Sequence, residues 1–261
     1  MPMLTMSDGC AIHYRIDGDD SLPNLLLSNS LGTTHEMWDL QMPVLTQHFR
    51  VIRYDNRGHG ASDVPDGPYT IDRIARDAQD LIAELALAPL VYCGLSLGGM
   101  VGVWLSAKAP GLLRRAVFAN TSAYIGQPEV WNQRIALIEA EGMQAAAGGI
   151  IQRWLTQDFM ASHPALTAKL LAMVAGIPPS GYAAAAAAVR DMDLRGQLAA
   201  IGIPVLVIAG ALDPATPPAM GEAIVEALPD ARLAILDAAH LSNIEKPDEF
   251  ANLLVKFLAP N

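Results

Sequence analysis

Apolar residues along this chain follow two alternating rhythms. Short continuous apolar runs at residues 25–28, 51–54, 90–93, 116–119, 205–209 and 233–236 lie between turn signals. Continuity, in place of in-and-out alternation, predicts strands buried on both faces of a sheet. Between these runs the apolar positions recur with a helical period. Ile71, Ile74, Ala75, Ala78, Leu81, Ile82 and Leu85 form one stripe, with Thr70 as the expected cap and Asp72 in the first turn. Residues 97–109 predict a second helix ended by Pro110-Gly111. Phe250, Leu253, Leu254 and Phe257 space a final helix that begins near Pro247. Strand and helix in regular alternation predict an α/β fold, a mostly parallel central sheet with helices on both faces.

The rhythm breaks once. Residues 121–196 carry no strand signal, are rich in alanine and other helix formers, and hold Trp131 and Trp154, two of the four tryptophans. The parallel pattern resumes at Ile203-Pro204. This stretch is expected to be a helical lid (cap) inserted into a core domain made of residues 1–120 and 197–261. It should cover the carboxyl edge of the sheet, where open α/β sheets place their sites. The six alanines at 183–188 predict a helix with a close-packed small face.

Composition narrows the class. At 261 residues, 52% hydrophobic and 17% charged, the chain can bury a large core without a disulfide or metal staple. A net charge of −10 argues against a nucleic-acid partner, whose phosphates need a basic patch. Cys10 and Cys93 lie far apart in sequence and have no metal-ligand spacing, which points to a reducing compartment. The N-terminus lacks a basic-then-apolar leader and no apolar run reaches the length of a membrane span. The expectation is a cytoplasmic protein with no membrane partner, no cofactor and no metal; a homo-oligomer is left open.

Candidate chemistry starts at Gly94-Leu95-Ser96-Leu97-Gly98, which follows a predicted strand and opens a predicted helix. That is the context of a nucleophile elbow; elsewhere the same pentapeptide is an ordinary glycine-rich turn. Neighbours without Cβ atoms let a serine occupy so sharp a turn, with its hydroxyl exposed at a helix N-terminus. A serine needs a base and an orienting acid. His240 follows the strand at 233–236, where a late base is expected, and Asp213 follows the strand before it. Asp237 is the rival carboxylate, expected instead to cap the loop. The order Ser96, Asp213, His240 differs from that of both common serine-protease classes. An oxyanion hole needs two backbone N–H groups: Leu97, next to the nucleophile, and Leu31 from Ser28-Asn29-Ser30-Leu31-Gly32-Thr33. Of the other histidines, His35 is a minor candidate because it follows that loop. His59, in Asp55-Asn56-Arg57-Gly58-His59-Gly60, reads as loop-ordering, and His13, His48 and His163 as structural. Met37, Met100 and Met143 read as packing.

With these residues in place, the chain resembles the α/β-hydrolase fold enzymes over about two thirds of its length, through the elbow, the Arg57-Gly58-His59-Gly60-Ala61-Ser62 loop and the triad order. Within them it is most similar to the 3-oxoadipate enol-lactonases. That narrower likeness rests on the 28–33 loop, Trp38, Ile125-Gly126 and Trp131-Asn132-Gln133-Arg134. It implies a small anionic lactone as substrate, opened by water in aromatic-compound catabolism (the β-ketoadipate pathway). A buried substrate carboxylate needs a cation. Arg134 is the first candidate and Arg153 the second, with Trp131 and Trp154 as pocket walls. A general carboxylesterase, a carbon–carbon bond hydrolase, a perhydrolase and a slow-turnover ligand receptor would all share the triad, and lid residues would separate them. Charge sharpens this. Residues 121–196 hold five Arg/Lys and six Asp/Glu, so the acidity belongs to the rest of the chain, and any bound anion must be held by a local cation.

Overall fold

Each apolar run expected as a strand is one in the computed structural model, which describes residues 2–259. The strands are β1 (Met3–Thr5), β2 (Ala11–Asp17), β3 (Asn24–Ser28), β4 (Arg50–Tyr54), β5 (Leu90–Leu95), β6 (Leu113–Ala119), β7 (Val205–Gly210) and β8 (Ala231–Leu236). They form one sheet in the order β1-β2-β4-β3-β5-β6-β7-β8. Pairing is antiparallel at β1–β2 and β2–β4 and parallel from β4 to β8. Continuous apolarity is explained by interior strands such as β5 and β7, in which every residue is buried. At the edge, β8 is mostly half-buried or exposed, although its residues 233–236 are just as continuously apolar.

The helices are α1 (Met42–Leu45), α2 (Ile71–Glu84), α3 (Leu97–Lys108), α4 (Pro128–Trp154), α5 (Gln157–Ser162), α6 (Pro164–Ala175), α7 (Pro179–Asp191), α8 (Pro218–Ala227), α9 (Ser242–Glu245) and α10 (Pro247–Leu258). The Thr70 hydroxyl caps α2 by accepting the Arg73 N–H at 3.1 Å, and the α2 stripe Ile74, Ala75, Ala78, Leu81 and Ile82 is buried as expected. Both α3 and α10 pack on β5 and β6. No single helix among the described residues is long and apolar enough to cross a membrane.

Between β6 and β7 all regular structure is helical, α4 to α7 followed by a 3-10 turn. α4 is two arms, broken at Gly142, whose φ of +77° is costly for any residue with a Cβ. α7 departs from expectation. Its six alanines are buried on every side, so the helix is enclosed all round and small side chains serve close approach in every direction. One such approach is to the core, where Gly181 lies against the Gly58 backbone and the Tyr69 N–H donates to the Ala184 carbonyl at 3.1 Å.

Candidate active site

Parallel strands put their carboxyl ends on one edge, and five of the loops there converge. β5 ends in Leu95 and passes directly into Ser96, held at φ 57° and ψ −114°. This left-handed strain costs on the order of 1 kcal/mol or more and persists only where the surroundings enforce it. They do. A Cβ on Gly94 would fall on the Gly98 backbone and one on Gly98 on the Ser28 backbone, so the elbow is closed by crowding that only glycine tolerates. The Ser96 N–H donates to Ala119 O at 2.9 Å.

Asp213 follows β7 and accepts five hydrogen bonds. Its Oδ1 takes the N–H groups of Ala215 (2.8 Å) and Thr216 (3.0 Å). Its Oδ2 takes Asn120 Nδ2 (3.0 Å), Thr216 Oγ1 (2.7 Å) and His240 Nδ1 (2.8 Å). Burial alone would raise the carboxyl pKa, but His240 and these donors outweigh it and hold Asp213 below the ordinary carboxylate value. Because Nδ1 donates to a carboxylate, the Nε2 lone pair of His240 is left free to accept a proton. Asp237, the rival, is exposed and makes no side-chain hydrogen bond among the described residues. It does not cap the loop. Glu245 of α9 does that, accepting from the Ala239 N–H through Oε2.

Ser96 and His240 open onto one cavity of about 200 Å³. Leu31, Trp131, Arg134, Arg153 and Trp154 line it too, with Met100 and Tyr182. The structure therefore brings together the sequence-predicted wall and cation residues with the predicted nucleophile and base. Of the five Arg/Lys in residues 121–196, Lys169 pairs with Asp39, Arg190 with Asp191 and Arg195 with Asp193. Arg134 and Arg153 have no carboxylate partner among the described residues. The Arg134 guanidinium rests 4.7 Å from the Trp131 ring centre, and both arginines act on the buried Tyr182. Burial raises that phenol's pKa and the two cations pull it back.

The Leu31 and Leu97 N–H groups donate to no protein acceptor among the described residues, as an oxyanion site requires. His59 orders this loop, accepting the Gly32 N–H on Nε2 at 2.9 Å while Nδ1 donates to Arg57 O at 3.1 Å. Burial lowers its pKa to about 4, so it stays neutral. His35 is not at the site. It is buried beside His13, and both donate through Nδ1 to Asp55, at 2.9 and 2.8 Å. Among the described residues this trio is the one group with ligand atoms close enough for a metal ion. Asp55 is already committed to the two imidazoles and the N–H groups of His35 and Ala61, which suits a hydrogen-bonded strut better than an ion site.

Three participants have no local signature in the sequence. Asn120, at φ 43°, donates to Asp213 and Ala239 O and accepts from Ser242 Oγ at 2.6 Å. Thr216 reaches both Asp213 and His240. Glu245 accepts from Thr156 N–H and Oγ1, both at 2.7 Å, as well as from Ala239, while the Leu241 N–H donates to Trp154 O at 3.0 Å. The loop carrying His240 is thus fastened to the end of α4. A polar pair at the carboxyl end of an apolar strand, Asn120-Thr121, was the one available hint.

Comparison with known proteins agrees with this architecture. A family model described as the alpha/beta hydrolase fold matches residues 23–247. A 3-oxoadipate enol-lactonase of Acinetobacter baylyi is 39% identical over 95% of this chain and 92% of its own length. A second from the same organism is 34% identical over 98% and 96%. The crystal structure of an enol-lactonase from Burkholderia xenovorans superposes with a TM-score of 0.96 at 42% identity, covering 98% of this chain and 99% of that one. The chain belongs to the alpha/beta-hydrolase fold family.

Proposed function

We propose that this member of the alpha/beta-hydrolase fold family is a serine hydrolase that opens a carboxylated enol-lactone, 3-oxoadipate enol-lactone, to 3-oxoadipate in aromatic-compound catabolism. It is a hydrolase of lactone or ester bonds; the lactone and the route through an acyl-enzyme are the proposal. One observation carries it: the only two cations in residues 121–196 without a carboxylate partner among the described residues, Arg134 and Arg153, line the cavity onto which Ser96 and His240 open. Unpaired guanidiniums beside a nucleophile suit a substrate that brings its own carboxylate. The relatives named as enol-lactonases support the same substrate class.

The shared cavity and the Asp213–His240 bond support the following chemistry. Ser96 Oγ attacks the ring carbonyl as His240 Nε2 takes its proton, and Asp213 stabilises the imidazolium through Nδ1. The carbonyl oxygen becomes an oxyanion held by the Leu31 and Leu97 N–H groups. The ring C–O bond then breaks, and the departing enol oxygen takes the proton from His240. The enol tautomerises to the ketone. Water, deprotonated by His240, attacks the acyl-enzyme, and collapse of the second tetrahedral adduct returns the proton to Ser96 and frees the new carboxylate. No step calls for a bound cofactor. We place the enzyme in the cytoplasm, where the buried thiols of Cys10 and Cys93 stay reduced.

The test is a spectrophotometric assay of enol-lactone opening beside the neutral ester 4-nitrophenyl acetate. The expected result is a kcat/KM for the lactone well above that for the ester. A clear preference for the neutral ester would overturn the substrate assignment.

A further inference from the structure

Two N–H groups without a protein acceptor among the described residues, those of Leu31 and Leu97, come from loops 66 residues apart, yet the structure supports them in the same way. A peptide unit is planar and trans, so its C=O and N–H point in opposite directions, and fixing the oxygen aims the hydrogen. The Ser30–Leu31 peptide is fixed at Ser30 O, which accepts Thr33 Oγ1 at 2.8 Å and the Thr33 N–H at 3.2 Å. The Ser96–Leu97 peptide is fixed at Ser96 O, which accepts Thr121 Oγ1 at 2.7 Å and the Met100 N–H at 3.1 Å. In both halves a threonine hydroxyl stands behind the donor.

Neighbouring N–H groups are spent elsewhere. Ser30 N–H points to Met37 Sδ, Gly32 N–H to His59, Ser96 N–H to Ala119 O, and Gly98 N–H to Asn29 O. The last bond also joins the two halves and sets their spacing. Both threonines are buried, Thr33 at 0% and Thr121 at 3% exposure. Thr121 presses against Gly99, where a Cβ would collide with its side chain. Met37 Sδ lies 3.0 Å from the Thr33 hydroxyl, but thioether sulfur is a weak acceptor, and the carbonyl takes the proton.

We propose that Thr33 and Thr121 are paired positioning residues of the oxyanion hole, each aiming and polarising one donor N–H through the carbonyl of the same peptide. A hydrogen bond to an amide oxygen strengthens the amide as a donor, because bonded dipoles polarise one another. This inference rests on the proposed serine-hydrolase reading of Ser96. It also separates from a merely structural role. In the absence of either hydroxyl each carbonyl keeps its backbone donor, so Thr→Val leaves no buried acceptor bare and stability changes little.

The experiment measures 4-nitrophenyl acetate turnover by Thr33→Val, Thr121→Val and the double variant. Thr33→Ser and Thr121→Ser serve as rescues and Thr46→Val as control. Thr46 makes the same hydroxyl-to-carbonyl bond, to Met42 O, away from the site. Removing a whole oxyanion donor costs about 100- to 1000-fold in kcat, so misaiming one should cost roughly 10-fold. We expect that loss in kcat for each valine variant with KM within about two-fold. The serine variants should recover most of it and Thr46→Val should match wild type. Phenylboronic acid, which forms a tetrahedral adduct at serine, should weaken by the same factor as kcat/KM. A kcat unchanged in both valine variants, a loss carried by KM, or serine variants as slow as valine would overturn the inference while leaving the hydrolase reading intact. A wild type no faster than Ser96→Ala would overturn both. If valine prevents folding at Thr121, Thr121→Ala offers the same readout.

Discussion

The sheet edge and the helical segment above it meet at one cavity but are built by different rules. At the edge, every functional group is held by several partners: five donors on Asp213, an enforced left-handed Ser96, and a carbonyl anchor behind each free N–H. In the helical segment, Arg134 and Arg153 are tied to no carboxylate, and their neighbours are aromatic faces and open cavity. On the proposed function, the bond-making groups are thus over-determined and the substrate-sorting groups under-determined. Reaction chemistry needs sub-ångström placement, whereas a flexible cation can follow the carboxylate it binds.

The sharpest break of this contrast is Ser96→Ala. We expect kcat to fall by roughly 10⁶-fold on any substrate with the unfolding midpoint unchanged, checked by stopped assay and calorimetry. Asp213→Asn should cost about 10⁴-fold, since the amide can hold His240 in the wrong tautomer. A near-normal kcat in that variant would remove Asp213 from the triad.

His59 tests the edge through stability. Its pKa falls from an ordinary 6.5 to about 4. Below pH 6.5 the unfolded chain takes up a proton that folded His59 refuses, so stability declines from there to about pH 4, by about 3 kcal/mol in total. Urea unfolding across this window should show the slope in wild type and a flatter one in His59→Gln, whose side-chain oxygen can still accept the Gly32 N–H. Asp213, held below its ordinary value, contributes stability above about pH 4 that is lost only in stronger acid.

The smallest effect belongs to the helical segment. Arg134→Ala or Arg153→Ala should lower kcat/KM for the carboxylated lactone by about 10- to 100-fold, as for a lost charge-assisted hydrogen bond. Neither should alter nitrophenyl acetate turnover. Equal losses on both substrates would move these residues from substrate recognition to folding.

Legibility in the sequence followed the same divide. The strands, the elbow turn and the placement of Asp213 and His240 were readable because each is written in a few adjacent residues: an apolar run, a glycine pair, a polar residue just past a strand. Asn120, Thr121 and Glu245 were not, since their contacts reach across the fold; Asn120 meets Asp213 from 93 residues away. Thr216 lies three residues from Asp213, but nothing in the adjacent sequence marks its reach to His240. Asp237 misled for the converse reason. It has the right residue type at a strand end, but the loop folds with Glu245 as its acceptor. The alanine run predicted one small face, yet burial on all sides depends on neighbours that no helical period can reveal.

Glu245 bears on how this scaffold could be re-engineered. It grips Thr156 on one side and the Ala239 N–H on the other, with Trp154 O and the Leu241 N–H bonded beside it. Anyone grafting a foreign cap onto this chain to change its substrate would cut through that knot. Helices 128–154 could be exchanged for others of different length and lining. The graft would retain an aligned base only if its seam reproduced a carbonyl at position 154 and a donor pair at 156, so the portable unit runs past the helices into the joint that receives them.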